Sequence, residues 1–135
     1  MKSPYLYLDS SALVKLVQTE TESGALRRYL APMDSGLLRA ATSELSRVEV
    51  FRAVGEQPPA RQSAQMLFEA IDQMQITRAI LDDAAMLPPT ILRSLDAIHL
   101  ATAMLIPQLQ AIVTYDERMK SAAREVLEVP VVAPQ

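Results

Sequence analysis

Four carboxylates, Asp9, Glu49, Asp96 and Asp116, each stand where an apolar stretch of this chain begins, ends or is interrupted. Asp9 follows Tyr5-Leu6-Tyr7-Leu8, and Asp116 follows Ala111-Ile112-Val113-Thr114-Tyr115. Asp96 opens the almost wholly apolar run from Ala97 to Ile106, and Glu49 lies inside Val48-Glu49-Val50-Phe51. If folding gathers such groups they repel one another: two like charges about 4 Å apart at an effective dielectric of about 20 cost roughly 4 kcal/mol. A fold that gathers them therefore needs a cation between them. A divalent metal held by oxygen ligands suits that need, and it points to metal-assisted chemistry on a phosphate ester.

Each of these residues also has a plainer reading. Asp96 in the first turn of a helix is favoured by the helix dipole, worth about 0.3–1 kcal/mol. Glu49, with Arg52 three residues on, reads on its own as half of a surface ion pair. Glu44 is turned away from Glu49 by its five-residue offset and suits a first-turn dipole role. Asp34, Asp72, Asp82 and Asp83 lack a strand-end or buried-helix setting and read as solvated. Ser11, two residues after Asp9, is a helix N-cap that can also orient a water or touch a phosphate oxygen. Thr114 stands in the same relation before Asp116. His99, the single histidine, is three residues past Asp96 and reads as a core side chain hydrogen-bonded near the acids. Arg52, Arg93, Arg118 and Lys120 are near the acids in sequence and are candidate phosphate contacts.

Composition removes several other chemistries. With no cysteine there is no disulfide, thiolate metal site or thiol nucleophile. Three glycines leave no phosphate-cradling glycine loop, and Ser10 and Ser11 lack the setting of a nucleophile elbow. The net charge of −3 gives no global signature for nucleic acid, yet ten of the thirteen basic residues are arginine, the side chain suited to bidentate phosphate contact. The charge balance thus neither supports nor blocks an RNA substrate. Ala97 to Tyr115 carries no Asp, Glu, Lys or Arg, but Pro107 divides it into a buried helix and a buried strand rather than a membrane span. The early interruption at Asp9 argues against a secretory leader, so a cytoplasmic protein is expected.

The elements that must position these acids alternate between strand and helix. Tyr5 to Leu8 reads as a strand buried on both faces, followed by a helix that Ser10 and Ser11 cap. A helix near Glu22 to Leu30 ends before Pro32. Gly36 opens a strand through Leu37 to Ala41, and Thr42 or Ser43 caps a helix running to about Val54. After Pro58-Pro59, the spacing of Ala64, Leu67, Phe68, Ile71 and Met74 predicts a helix. A weak strand centred on Ile76, a helix from Arg78 to Met86 and a break at Pro88-Pro89 follow. Ser94 caps a helix from Leu95 to Ile106. A strand from Ala111 to Thr114, a helix from Glu117 to Leu127 and a strand at Val129 to Val132 complete a single domain of 135 residues. Such alternation argues for an α/β fold with a mainly parallel sheet and right-handed crossovers. Ligands bind beyond the carboxyl ends of such strands, so Asp9 and Asp116, 107 residues apart (116 − 9), would reach one rim.

The segments Tyr7-Leu8-Asp9-Ser10-Ser11-Ala12-Leu13-Val14-Lys15-Leu16, Ser43-Glu44-Leu45-Ser46-Arg47-Val48-Glu49-Val50, Leu95-Asp96-Ala97-Ile98-His99-Leu100-Ala101-Thr102-Ala103 and Val113-Thr114-Tyr115-Asp116-Glu117-Arg118-Met119 occur in this order. Together they resemble the PIN domain, specifically the VapC-type toxins of toxin–antitoxin pairs. The resemblance spans nearly the whole chain and is weakest between Ala60 and Pro89. It implies a three-layer α/β/α fold and a Mg²⁺- or Mn²⁺-dependent endoribonuclease. Asp9, Glu49, Asp96 and Asp116 match its acidic quartet, and Ser11 matches the hydroxyl or amide position after the first aspartate. The chemistry so implied is in-line attack by a metal-activated water, leaving a 5′-phosphate and a 3′-hydroxyl. The implied partners are an RNA substrate and a VapB-type antitoxin, a small DNA-binding protein that covers the acidic groove. Apolar faces on the 60–74 helix and its neighbours make a homodimer a further expectation. Two other readings compete: a non-catalytic PIN-like scaffold, which loss of an acid would mark, and a nuclease acting on structured DNA.

Overall fold

The computed structural model describes residues 3–88 and 92–135. Among these residues the elements run β1 (Tyr5–Leu8), α1 (Ser10–Val17), α2 (Ser23–Leu30), a 3-10 turn (Ala31–Ser35), β2 (Arg39–Ser43), α3 (Leu45–Val54), α4 (Pro58–Ala70) and β3 (Asp72–Met74). They continue through α5 (Arg78–Ala85), α6 (Ser94–Met104), β4 (Leu109–Val113), α7 (Glu117–Val126) and β5 (Val131–Val132). The strands form one sheet in the order β3-β2-β1-β4-β5, and every pairing is parallel.

The two-residue period of β1 shows why a continuous apolar run suits this position. Leu6, Tyr7 and Leu8 are all fully buried. Leu6 and Leu8 face one core, with Leu13, Leu26, Val50 and Phe68 from α1 to α4. Tyr7 faces the other, with Leu100 and Ala103 of α6 and Met119, Ala122 and Ala123 of α7. Helices thus cover both faces, giving the three-layer α/β/α arrangement expected. Each fully buried aliphatic side chain contributes about 1.5–3 kcal/mol relative to an exposed one, so β1 anchors both cores.

Several local expectations give way to tertiary context. Asp9, not Ser10 or Ser11, caps α1, its carboxylate accepting from the Ala12 amide. Arg93 occupies the cap position of α6 without a side-chain bond, and Ser94 is already inside the helix. Glu44 holds the cap position of α3, while the Ser43 hydroxyl accepts from the Leu45 amide. Gly36 does not open a strand: with φ 75° it closes the 3-10 turn in the left-handed conformation, and β2 starts three residues later. The helix after Pro58 stops at Ala70, because residues 72–74 pair with β2 as a strand, which also removes the strand expected at Ile76. Ala60, Ala64 and Phe68 of α4 are buried, so much of the apolar face expected to meet a second copy serves the core, while Met66 remains exposed. The Pro88-Pro89 break lies partly outside the described residues. No helix among them is long and apolar enough to cross a membrane.

Candidate active site

From β1 the sheet grows through β2 and β3 on one side and through β4 and β5 on the other. The direction of growth therefore reverses between β1 and β4, and the crevice outside the carboxyl ends at such a reversal is where open parallel sheets bind ligands. Asp9 is the first residue past β1, Thr114 is the first past β4, and Asp116 is the third. The Asp9 amide donates to the Val113 carbonyl at 3.3 Å, tying the two strand ends together.

Asp9 is only 3 % exposed, and both oxygens of its carboxylate accept hydrogen bonds. Oδ1 accepts from the Ser11 hydroxyl at 2.6 Å and the Ala12 amide at 3.1 Å, and Oδ2 accepts from the Thr114 hydroxyl at 2.5 Å. Ser11 Oγ in turn accepts from the Tyr115 amide at 2.9 Å, and Thr114 Oγ1 from the Asp116 amide at 3.1 Å. Ser11 and Thr114 thus lock the loop after β4 to the start of α1. Asp116 caps α7, its Oδ1 accepting from the Arg118 and Met119 amides at 2.9 and 3.0 Å.

Glu49 reaches the same crevice from the middle of α3. It makes no ion pair with Arg52; instead Oε1 lies 2.7 Å from His99 Nε2. His99 Nδ1 lies 2.6 Å from the Tyr7 hydroxyl, and both His99 and Tyr7 are buried. The histidine is a core residue, as its setting in α6 predicts, but it also links the sheet to an acid of the site. Tyr7 is the member sequence reasoning misses. A tyrosine in a strand buried on both faces needs a hydrogen-bond partner for its hydroxyl, and that need was the available signal.

Asp9, Ser11, Glu49, Asp96, His99 and Asp116 all line one cleft of about 240 Å³. The charges sense one another there. Burial pushes the Asp96 carboxyl above its usual range, and the charges of Asp116, Asp9 and Glu49 add to the shift, against the pull of His99. Burial likewise raises Asp9, opposed by His99 and by the hydroxyls of Ser11 and Thr114. A cation in the cleft would reverse both penalties. Among the described residues, no three His, Asp or Glu side chains form a ready-made coordination shell. An all-oxygen donor set that is open in this way fits Mg²⁺, which takes one or two carboxylates and keeps several waters. Of the basic candidates only Arg93 lines the cleft; Lys120 is held by Glu117 at 2.9 Å. Glu44 serves the fold, its Oε1 accepting from the Ile76 amide at 2.8 Å.

Residues 6–125 match the PIN domain family, and the chain belongs to that family. Its sequence relatives are of the VapC type. It is 44% identical over 133 residues to Ribonuclease VapC35 of Mycobacterium tuberculosis, covering 96% of each chain. It is 43% identical over 124 residues to Ribonuclease VapC47 of the same species, covering 90% of this chain and 91% of the relative. Among solved structures, VapBC2 from Rickettsia felis, bound to a DNA fragment from its promoter, superposes with a TM-score of 0.73 at 9% identity, over 97% of this chain and 99% of that one. Mycobacterium tuberculosis VapC20, a toxin cleaving the sarcin-ricin loop, gives 0.67 at 17% identity, over 87% and 94%. At such identities the structural likeness concerns the fold.

Proposed function

We propose that this VapC-type PIN ribonuclease cuts RNA internally at a Mg²⁺- or Mn²⁺-dependent site formed by Asp9, Glu49, Asp96 and Asp116, and that a VapB-type antitoxin neutralises it. The observation that carries this reading is the convergence of four carboxylates from four separate segments on one cleft. Among the described residues none of the four is paired with a lysine or arginine. The ribonuclease names of relatives 43–44% identical support RNA as substrate, and the VapBC assembly among the fold neighbours supports the antitoxin. Residues 1–135 act as one unit in this reading, in the cytoplasm, with a second copy of the chain as a further partner.

A bound Mg²⁺ or Mn²⁺ would supply a Lewis acid and lower the pKa of a coordinated water towards neutrality. The remaining tasks fall to the chain. Asp9, held by Ser11, Thr114 and the Ala12 amide, presents a carboxylate with little freedom to reorient. Asp96 and Asp116 bring negative charge from the amino ends of α6 and α7, and Glu49 closes the set from α3. Arg93 at the mouth of the cleft is the cation available to a substrate phosphate.

Incubation of one hairpin in RNA and DNA versions with Mg²⁺, with Mn²⁺ and with chelator tests this directly. Metal-dependent cleavage of the RNA version, giving 5′-phosphate and 3′-hydroxyl ends and vanishing in Asp96→Asn, is the expected result. Cleavage of DNA alone, or equal cleavage by the variant, would overturn the assignment.

A further inference from the structure

The four acids are not fixed in the same way. Backbone amides hold Asp9 and Asp116. Glu49 comes from the middle of a helix, and the partner of its carboxylate among the described residues is the Nε2 atom of His99. The ring is itself held from behind by the Tyr7 hydroxyl at 2.6 Å. Tyr7 and His99 are at most 1 % exposed, and the chain of bonds ends on Glu49, one of the four acids that line the cleft.

The direction of each bond follows from which atoms carry protons. An ionised carboxylate can only accept, so Nε2 must donate to Glu49 Oε1 whether the ring is neutral or charged. In the neutral ring Nδ1 is then an acceptor, and the Tyr7 hydroxyl donates to it. With Oε1 engaged by the ring, Oε2 has no hydrogen-bond partner among the described residues. Partners of this kind, which touch a ligand rather than the metal, typically change metal affinity by about 10–100-fold when removed.

We infer that His99 is a positioning residue for the metal, orienting Glu49 through Nε2 while Tyr7 holds the ring. The inference rests on Glu49 being a metal ligand. It separates His99 from an ordinary core histidine, whose replacement would alter packing alone.

Two substitutions divide the ring's functions. His99→Gln can place an amide N–H where Nε2 stood and keep the bond to Glu49. His99→Asn can keep a partner for Tyr7 but falls short of Glu49. Mn²⁺ affinity of the folded variants, read by calorimetry without any RNA, is expected to fall at least about 10-fold in His99→Asn and to stay within about 3-fold of wild type in His99→Gln. Equal affinities in both, or equal losses in both, would overturn the inference. Should His99→Asn not fold, Tyr7→Phe tests the same chain while keeping the aromatic volume, and a Mn²⁺ affinity equal to wild type counts against it. Because the chain has one histidine, a long-range ¹H–¹⁵N spectrum of the wild type reads the ring alone. A proton on Nε2 is expected, and its absence would refute the bond. Glu49→Gln serves as the reference: if it binds Mn²⁺ like wild type, Glu49 is not a ligand and the underlying reading fails as well. A loss in Glu49→Gln with none in His99→Asn defeats the inference alone.

Discussion

The two ends of the sheet handle carboxylates in opposite ways. At the amino end, Asp72 opens β3 in register with Ala41, and its side chain reaches back to the first residues of β1 and β2. Its Oδ2 accepts from the Tyr5 hydroxyl at 2.5 Å and from Arg39 Nη2 at 2.8 Å, and Arg39 also lies over the Tyr5 ring. At the carboxyl end, four acids meet with hydroxyls, amides and one imidazole but no lysine or arginine partner among the described residues. A carboxylate neutralised where it stands contributes to the fold and has no further need of a cation. Where no such partner stands, burial and then the charges of Asp116, Asp9 and Glu49 raise the pKa of Asp96, which leaves a place for an ion. The distinction is physical and can be pressed at either end.

The largest effect is expected at the carboxyl end. Asp9→Asn keeps helix α1 capped, since asparagine caps about as well as aspartate, so its fold should survive. Metal-dependent RNA cleavage should nevertheless fall by at least roughly 100-fold, the upper range for merely supporting residues at a metal site. Asp72→Asn should remain within about twofold of wild type, because its charge is consumed by Arg39 at the other end. A cleavage assay on both variants checks the contrast; equal losses would erase it.

Metal-linked stability comes next. A ligand that binds only the folded state stabilises by about 2.7 kcal/mol when present at 100 times its Kd. Melting curves with and without Mg²⁺ should show that gain in wild type and Asp72→Asn, and little of it in a double variant Asp9→Asn, Asp96→Asn. A full gain in the double variant would move the ion elsewhere.

The pH dependence of the chelated protein follows from the raised Asp9 and Asp96. An acid whose pKa is higher folded than unfolded binds its proton more tightly in the folded state. Its contribution is complete below the unfolded value of about 4 and is lost as pH climbs through the raised folded value. Stability in chelator should therefore fall as pH rises above about 4, and Asp96→Asn should flatten that fall. Added Mg²⁺ should oppose it. Urea titrations across the acidic range measure the slope, and a chelated wild type that instead gains stability with pH would contradict the shifts.

The contrast between the ends also marks what could be read from the chain. The apolar runs at 5–8 and 111–113 are legible as buried strands because side chains on both faces are apolar, and an aspartate follows each, Asp9 directly and Asp116 three residues on. Residues 72–74 are not legible as a strand. They are short and polar, and Ile71 and Met74 continue the helical spacing of α4, so only pairing with β2 decides their state. Asp72 reads as solvated for the same reason: its partners Tyr5 and Arg39 lie 67 and 33 residues away, and register alone brings them beside it. The acids of the site are visible through their settings, whereas the direction in which Glu49 points is not. Arg52 lies three residues along the same helix, while His99 is 50 residues distant, so the local pair is the natural reading until α6 is packed against the sheet.

The smallest expected effect lies in the amino-end cluster itself. Arg39 and Asp72 are 55% and 43% exposed, and pairs so exposed contribute about 0.2–1 kcal/mol. A double-mutant cycle on Arg39→Ala and Asp72→Asn should return a coupling in that range, falling as salt rises and screening shortens the reach of the charges. Tyr5→Phe should lower stability by a further amount of about 0.5–1.5 kcal/mol, the net worth of one hydrogen bond. Neither change should alter Mn²⁺ affinity. If Asp72→Asn weakened it tenfold, charge at one end of the sheet would be felt at the other, and the separation between a structural acid and a chemical one would have to be redrawn.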